Sequence, residues 1–381
     1  MIFFFIFSAV LFVPYFYVAW KYIITLSILK TYKQFALFIL FFFYCFPLLG
    51  FFLHYKKIEN LFSTIISWLG YIGLGIVSLL FFIHLTIEIM IFIRSLFLNR
   101  HQFDPYRRAF LGLSAKALAG SLVSISSVWG FYSALKTPVI KRVEIPIKNL
   151  PYNLSNLRIA QITDTHIGRM IRKDFVEKIT LKIEEMNPDI LVFTGDAADG
   201  SVEAFGDFIT PLKRLKPPYG KYFVTGNHEY YSDLNGWLQI IEKIGFKILV
   251  NESQIVNVQD STVMITGVPD RGGKYFSSFH KTDMEKAMGG MKECDLKILL
   301  AHQPKDVEYA TKYGFHLQLS GHTHGGQYFP FSILVNMVHP FIKGLHKRGN
   351  TWVYINQGTG YWGPPIRIGT EPEITDITFT N

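Results

Sequence analysis

Cysteine is scarce: Cys45 and Cys294 are the only two in 381 residues. One lies in an apolar run and the other in a polar region, so a disulfide framework and a tetrathiolate zinc are excluded, and the redox compartment stays open. Acidic residues are the scarcer charge, 29 Asp and Glu against 38 Lys and Arg, which leaves a net charge of +9. That surplus does not describe a nucleic-acid surface, because no basic stripe interleaved with aromatics occurs at motif spacing and many cations flank apolar runs. Phosphorylated substrates and anionic lipid head groups remain partners that a basic protein attracts. Internal repeats and low-complexity linkers are missing too. What is plentiful is apolar: 49% of residues are hydrophobic, and the excess is concentrated before about Ala134.

Four runs in that first third match a bilayer core of about 30 Å. They are Met1 to Trp20, Phe35 to Phe52 with Pro47 as the one breaker, the overlong Leu61 to Ile93, and the Ser-, Gly- and Ala-rich Ala109 to Ala134. Small residues in the fourth suit close helix packing. The first run lacks a positive amino end and a small-residue cleavage site, so it reads as a span and not a signal peptide. Lys30 and Lys33 follow the first run, Lys56 and Lys57 the second, and Arg94, Arg100, Arg107 and Arg108 the third. The heavier third loop is expected to be cytoplasmic, which places the remainder of the chain on the extracytoplasmic face. "YRRAFLGLSAKALAGS" is similar to a twin-arginine export signal; two ordinary positive-inside arginines give the same orientation. His84 and Glu88, four apart in the third run, read as a mutually satisfied pair facing the bundle, with an intramembrane site as the sharper alternative.

From Leu157 onward short apolar runs end abruptly in polar residues, and amphipathic stretches separate them. "LRIAQITDTHIG" and "DILVFTGDAADG" read as strands around a helix from Asp174 to Met186, with Phe175, Val176, Ile179, Ile183 and Met186 on one face and Asp174 as its N-cap. The pattern returns in "GKYFVTGNHEYY", a helix from about Leu234 to Ile244 stopped by Gly245, "LKILLAHQP" and "FHLQLSGHTHGGQ". Further strands are expected at Lys247 to Leu249, Val263 to Gly267, Trp352 to Ile355 and Glu373 to Phe379. Asp270 to Glu293, with Gly272, Gly273, Gly289 and Gly290, reads as loop plus a short helix. Expected boundaries are a transmembrane helical domain over 1–135, a connector and first edge strand over 136–156, and an α/β domain over 157–381.

Just past the strand ends stand Asp164, His166, Asp196, Asn227, His228, His302, His322 and His324. Open α/β sheets build their sites there. One such residue is a turn former or a surface histidine; eight in five turns, beside Gly168, Gly195, Gly226, Gly321, Gly325 and Gly326, point to a metal or catalytic site. Mixed carboxylate and imidazole donors suit Mn, Fe or Zn, and their number exceeds what one ion needs.

The ordered blocks "DTHIG", "GDAADG", "GNHE", "AHQP" and "GHTHGGQ" closely resemble the calcineurin-like metallophosphoesterase superfamily, from about Leu157 onward. "GTGYWGPPIRIGTEPEI" resembles the C-terminal segment of its membrane-associated group, the transmembrane proteins with a metallophosphoesterase domain. The resemblance implies an α/β/β/α sandwich following the membrane helices, and two divalent ions. Asp164, His166 and His324 are implied to hold one ion and Asn227, His302 and His322 the other, with Asp196 between them. His228 is implied to protonate the leaving oxygen or stabilise charge, oriented by Glu229, while a metal-bridging hydroxide attacks phosphorus. Asp199 is expected to hydrogen-bond rather than ligate. Arg169 and Arg367 are weaker candidates for substrate phosphate, and Tyr361 and Trp362 are expected in the core.

The expected activity is hydrolysis of a phosphodiester, phosphomonoester or pyrophosphate, with a lipid-linked substrate as a lead and a bacterial plasma membrane as the expected location. A UDP-2,3-diacylglucosamine-type pyrophosphatase of lipid A synthesis is an alternative that conflicts with the outward orientation. A non-catalytic receptor or scaffold is another, and a transporter centred on His84 and Glu88 a third.

Overall fold

The computed structural model describes residues 2–25, 29–97, 105–289 and 293–381. They form two compact units: 1–132 with 363–366, and 133–362 with 367–381.

The first unit is helical. α1 (Ile2–Val18) continues as a π-helical turn over Ala19–Ile24, and α2 (Lys30–Tyr55), α3 (Leu61–Phe97) and α4 (Pro105–Leu135) follow. All four are long and apolar enough to cross a membrane. At 1.5 Å per residue α3, with 37 residues, is about 55 Å long and exceeds one hydrocarbon core. α2 runs unbroken through Pro47, and a side chain at Gly70 of α3 would come within 2.8 Å of the Pro47 nitrogen, so the small residue lets the two helices close. His84 and Glu88 belong to a wider network: Glu88 takes Lys21 and the Tyr17 hydroxyl at 2.7 Å, and His84 Nδ1 meets Tyr22 at 2.8 Å. Arg100 and Gly290 lie outside the described residues, as do the side chains of Arg107 and Arg108.

The second unit alternates strands and helices. Its first half holds β1 (Val139–Pro146), β2 (Ile159–Ile162), β3 (Ile167–Gly168), α5 (Lys173–Met186), β4 (Ile190–Phe193), β5 (Ala198–Asp199), α6 (Val202–Phe205), β6 (Lys221–Phe223), α7 (Asn227–Tyr231), α8 (Leu234–Lys243) and β7 (Phe246–Ile248). Its second half holds β8 (Glu252–Val258), β9 (Ser261–Gly267), α9 (Met284–Met288), β10 (Leu296–Leu300), α10 (Val307–Lys312), β11 (Leu317–Ser320), α11 (Phe331–Val338), β12 (Gly344–Arg348), β13 (Thr351–Ile355) and β14 (Glu373–Thr380).

Two mixed six-stranded sheets result, ordered β1-β14-β2-β4-β6-β7 and β12-β13-β11-β10-β9-β8, with β3 and β5 as a separate pair. Their inner faces share one apolar core, in which Ile159, Ile190 and Val192 of the first sheet meet Ile298, Leu300, Leu317 and Leu319 of the second. The outer face of the first sheet packs on α5 and α8 through Phe175, Ile179, Ile183, Trp237 and Ile241, and α9 and α10 cover the second through Met284 and Ala310. The layers are therefore α/β/β/α. Both faces of β2 and β4 are covered and all four residues of each are buried, which is why β4 is continuously apolar and β2 admits one polar residue, Gln161. Leu300 is fully buried; its truncation to Ala would cost about 2–5 kcal/mol.

Three local readings are corrected. α5 starts at Lys173 with Arg172 as its cap, so Asp174 lies inside the first turn, where its charge still opposes the helix dipole favourably. β8 and β12 join sheets although neither shows a clear apolar period, because hairpin pairing with β9 and β13 decides them. Trp362 is about half exposed, whereas Tyr361 is in the core as expected.

Candidate metal centre

β2, β4 and β6 run parallel, as do β9, β10 and β11, so their carboxyl ends open towards one crevice. The turn after β2 carries Asp164 and His166, that after β4 Asp196, and that after β6 Asn227 and His228; β10 leads to His302, and β11 to His322 and His324. The backbone of this crevice is unusual. Asp164, His166, Asp196, His322 and His324 all have positive φ, between 47° and 70°. For a non-glycine residue such a conformation costs of order 1–3 kcal/mol. Five together are tolerated only where the surrounding structure dictates them. Glycine does the rest: a side chain at Gly195 would press on the Gly226 nitrogen at 2.5 Å and His302 Nδ1 at 2.7 Å.

Three groups of donors result, each within 4.8 Å of one another: Asp164, His166 and His324; His166, Asp196 and His228; and Asp196, His302 and His322. Asp196 is shared. Its Oδ1 accepts the His228 backbone N–H at 2.8 Å, while Oδ2 lies 3.1 Å from His302 Nε2 and 3.9 Å from His166 Nε2. Asp164 Oδ1 is 3.5 Å from His324 Nε2, and both its oxygens accept the His322 N–H at 3.0 Å. The Nε2 atoms of His166 and His324 face each other at 3.0 Å, and His322 Nδ1 faces His302 Nε2 at 3.2 Å.

The donors are braced from behind. His302 Nδ1 donates to the Thr194 carbonyl at 2.7 Å, which turns its Nε2 into the crevice. Below it Gln161 spans the two sheets, donating to Thr194 Oγ1 at 2.9 Å and the Ser320 carbonyl at 3.1 Å. Burial holds His166 down at about 3 and pulls His322 and His324 well below the usual histidine range, so these rings are neutral donors. Burial raises Asp164 to about 6, the nearby Asp196 adding to it. Burial opposes charge on His228, but Asp196 and Asp199 outweigh it and hold the ring at about 9.

These residues suit divalent cations on an observation independent of the motifs. Asn227 Oδ1 and His166 Nδ1 are buried polar atoms with no hydrogen-bond partner, in a crevice of carboxylates and neutral imidazoles. Such atoms are costly to leave unpaired.

Comparison with known proteins agrees. The sequence pattern of the calcineurin-like phosphoesterase family matches residues 157–326. The chain is 36% identical to a transmembrane protein with metallophosphoesterase domain from Danio rerio, over 69% of this chain and 62% of that one, so it matches under two thirds of that relative. It is 34% identical to a metallophosphoesterase of Helicobacter pylori, over 76% of this chain and 78% of that one. The chain belongs to the calcineurin-like phosphoesterase family. Among solved structures, a 5'-nucleotidase precursor from Thermus thermophilus overlays 58% of this chain and 54% of its own, with TM-score 0.36 and 15% identity.

Other members of the phosphoesterase crevice differ from expectation. Glu229 does not orient His228. Its buried carboxylate instead accepts the backbone N–H groups of Gly226 at 2.6 Å, Ala197 at 2.7 Å and Asp196 at 3.1 Å, tying the β4 and β6 turns together. Asp199 lies 3.5 Å from His228 Nδ1. Arg367 is fully buried, donating to the carbonyls of Gln357 at 2.8 Å and Gly360 at 2.5 Å, with His324 Nδ1 3.3 Å away. Arg169 is buried as well. Two neighbours went unread in the sequence: Asp270, a buried carboxylate after β9 that takes Gln303 Nε2 at 2.8 Å, and His339, whose ring centroid is 5.1 Å from that of His322. Asp270 follows a strand like the others and could have been found by that rule. No motif marks His339.

Proposed function

We propose that the chain is a membrane-anchored, dinuclear-metal phosphoesterase that hydrolyses a phosphodiester, phosphomonoester or pyrophosphate by direct water attack. The observation that carries this reading is Asp196: one oxygen is fixed by a backbone amide and the other is turned towards histidines of two separate donor groups. Asp164, His166 and His324 would hold one ion, Asn227, His302 and His322 the second, and Asp196 both. Divalent ions there, Mn, Fe or Zn by donor chemistry, would supply Lewis acidity to a phosphoryl oxygen and lower the pKa of water.

The chain's own groups do the rest. His228, paired with Asp199, hands a proton to the departing oxygen. Glu229 ties the turn that carries Asp196 to the turn that carries His228. Arg367 sets the ring of His324 and holds the 357–360 carbonyls, while Arg169 is kept as the phosphate contact. We assign 1–135 to the membrane domain, 136–156 to the connector and first strand, and 157–381 to the phosphoesterase domain, facing the extracytoplasmic side.

The test is hydrolysis of p-nitrophenyl phosphate and bis-p-nitrophenyl phosphate by the full chain in detergent, beside His228→Ala and Asp196→Asn. Both variants should lose most activity; unchanged rates in both would leave a receptor or scaffold as the surviving reading. Reporters fused after Lys33, Lys57, Arg108 and Asn381 decide orientation. A cytoplasmic Asn381 would move the substrate search to nucleotide-linked lipid precursors of the lipid A type.

A further inference from the structure

From Lys136 onward the exposed large apolar side chains are not scattered. Among the described residues all but Tyr152 and Leu181 fall in four places: Tyr231, the stretch 275–279, the stretch 329–338, and Trp362. The densest is α11, "FSILVNMV", which buries none of its residues. Ile333, Leu334, Met337 and Val338 are 53, 48, 78 and 59% exposed. Phe331, Leu334 and Val338 form one stripe at i, i+3 and i+7, and Ile333 and Met337 extend it at i, i+4, so the helix carries a broad apolar face that no element among the described residues covers.

Beside that helix lies a cleft of about 890 Å³. Met337 and His339 form one wall; Arg271, Lys274, Lys305 and Arg348 supply cations, against Glu308 as the acidic residue of the lining. Arg271 is partly committed to buried Asp306, 3.6 Å away. The cleft reaches the metal centre through His339, which sits against His322. An apolar helix bordered by cations is the chemistry of an interfacial element, which lays its apolar face at the acyl boundary and its charges among anionic head groups. A bilayer is already within this chain's reach, since four of its helices can cross one.

We propose that α11 and its cationic cleft form a bilayer-docking surface that prefers anionic lipid. If the phosphoesterase reading holds, on which this second step rests, the surface delivers an amphiphilic phosphoester from the membrane along the cleft to His322.

The test uses the full chain in liposomes, with Cys45→Ser and Cys294→Ser as background and a nitroxide on Met337→Cys. The reference label is on Lys178→Cys, an exposed position of α5. In liposomes containing phosphatidylglycerol the label at 337 should show an oxygen-to-nickel accessibility ratio several-fold above that at 178. Pure phosphatidylcholine should weaken the contrast, and Lys305→Glu with Arg348→Glu should abolish the difference between the lipids. Equal accessibility at the two positions would overturn the proposal, as would dipolar broadening between 337 labels, which would mean that a second copy covers the helix. Leu334→Glu should raise KM several-fold for a phosphoester embedded in the bilayer and leave soluble p-nitrophenyl phosphate unaffected. Should no form cleave either substrate while the 337 label is immersed, the enzymatic reading fails and the docking surface stands.

Discussion

The sheet built on β2, β4 and β6 and the sheet built on β9, β10 and β11 bring different chemistry to one crevice. The first ends in oxygen donors, Asp164, Asp196 and Asn227, beside the imidazoles of His166 and His228. The second offers imidazoles, His302, His322 and His324. The first sheet brings the negative charge that would offset bound cations; the second brings His322 and His324, whose rings burial keeps uncharged, and His302, where burial is outweighed by Asp196 and the ring is held well above the usual histidine range. Neither half is a site alone. The bracing also crosses over, since His302 is aimed by a carbonyl of the first sheet and Asp164 is held by an amide of the second. The difference teaches that the packing of one sheet on the other is what assembles the donor groups.

Withdrawing the cations from both halves at once should have the largest effect. Dialysis against a chelator is expected to abolish hydrolysis, and titration with Mn to restore it; full activity after metal analysis shows none bound would end the dinuclear proposal. Next comes the shared carboxylate against a one-sided ligand. Asp196→Asn should lower kcat by roughly 10³-fold, as several kcal/mol of charge stabilisation is lost. It should also weaken both metal sites, whereas His302→Ala should deplete only one, which metal analysis by mass spectrometry distinguishes. A smaller loss, about 10–100-fold in activity or metal affinity, is expected for Glu229→Gln, which loosens the two first-sheet turns without touching a ligand. The smallest tests the seam: Gln161→Leu removes the link to Ser320, and should lower Tm by about 2–4 °C if about 1 kcal/mol is lost, with kcat little changed.

Much of this is legible in the sequence itself. Abrupt ends of apolar strands located every residue of the three donor groups, because a β-strand that stops at a crevice must exchange buried apolar residues for polar ones within a position or two. Four apolar runs located the helices for the same reason. What escaped was set by tertiary contact. Glu229 turns to backbone amides because the β4 turn lies under it, which no spacing in "GNHE" announces. Arg367 looks like a phosphate hook in "IRIG" and proves to be enclosed by carbonyls of the 357–360 loop. β12 joined its sheet through a hairpin partner and not through its own pattern.

The position of β14 has an effect on how the protein must be made. This strand lies between β1 and β2, pairing in parallel with one and antiparallel with the other. During synthesis β1 and β2 therefore emerge early and wait with facing edges unpaired while every other strand is added. Until that late segment slides between them, the nascent unit is open along a seam that begins directly after α4, where premature association with neighbouring chains is easiest to start and a chaperone would be most useful.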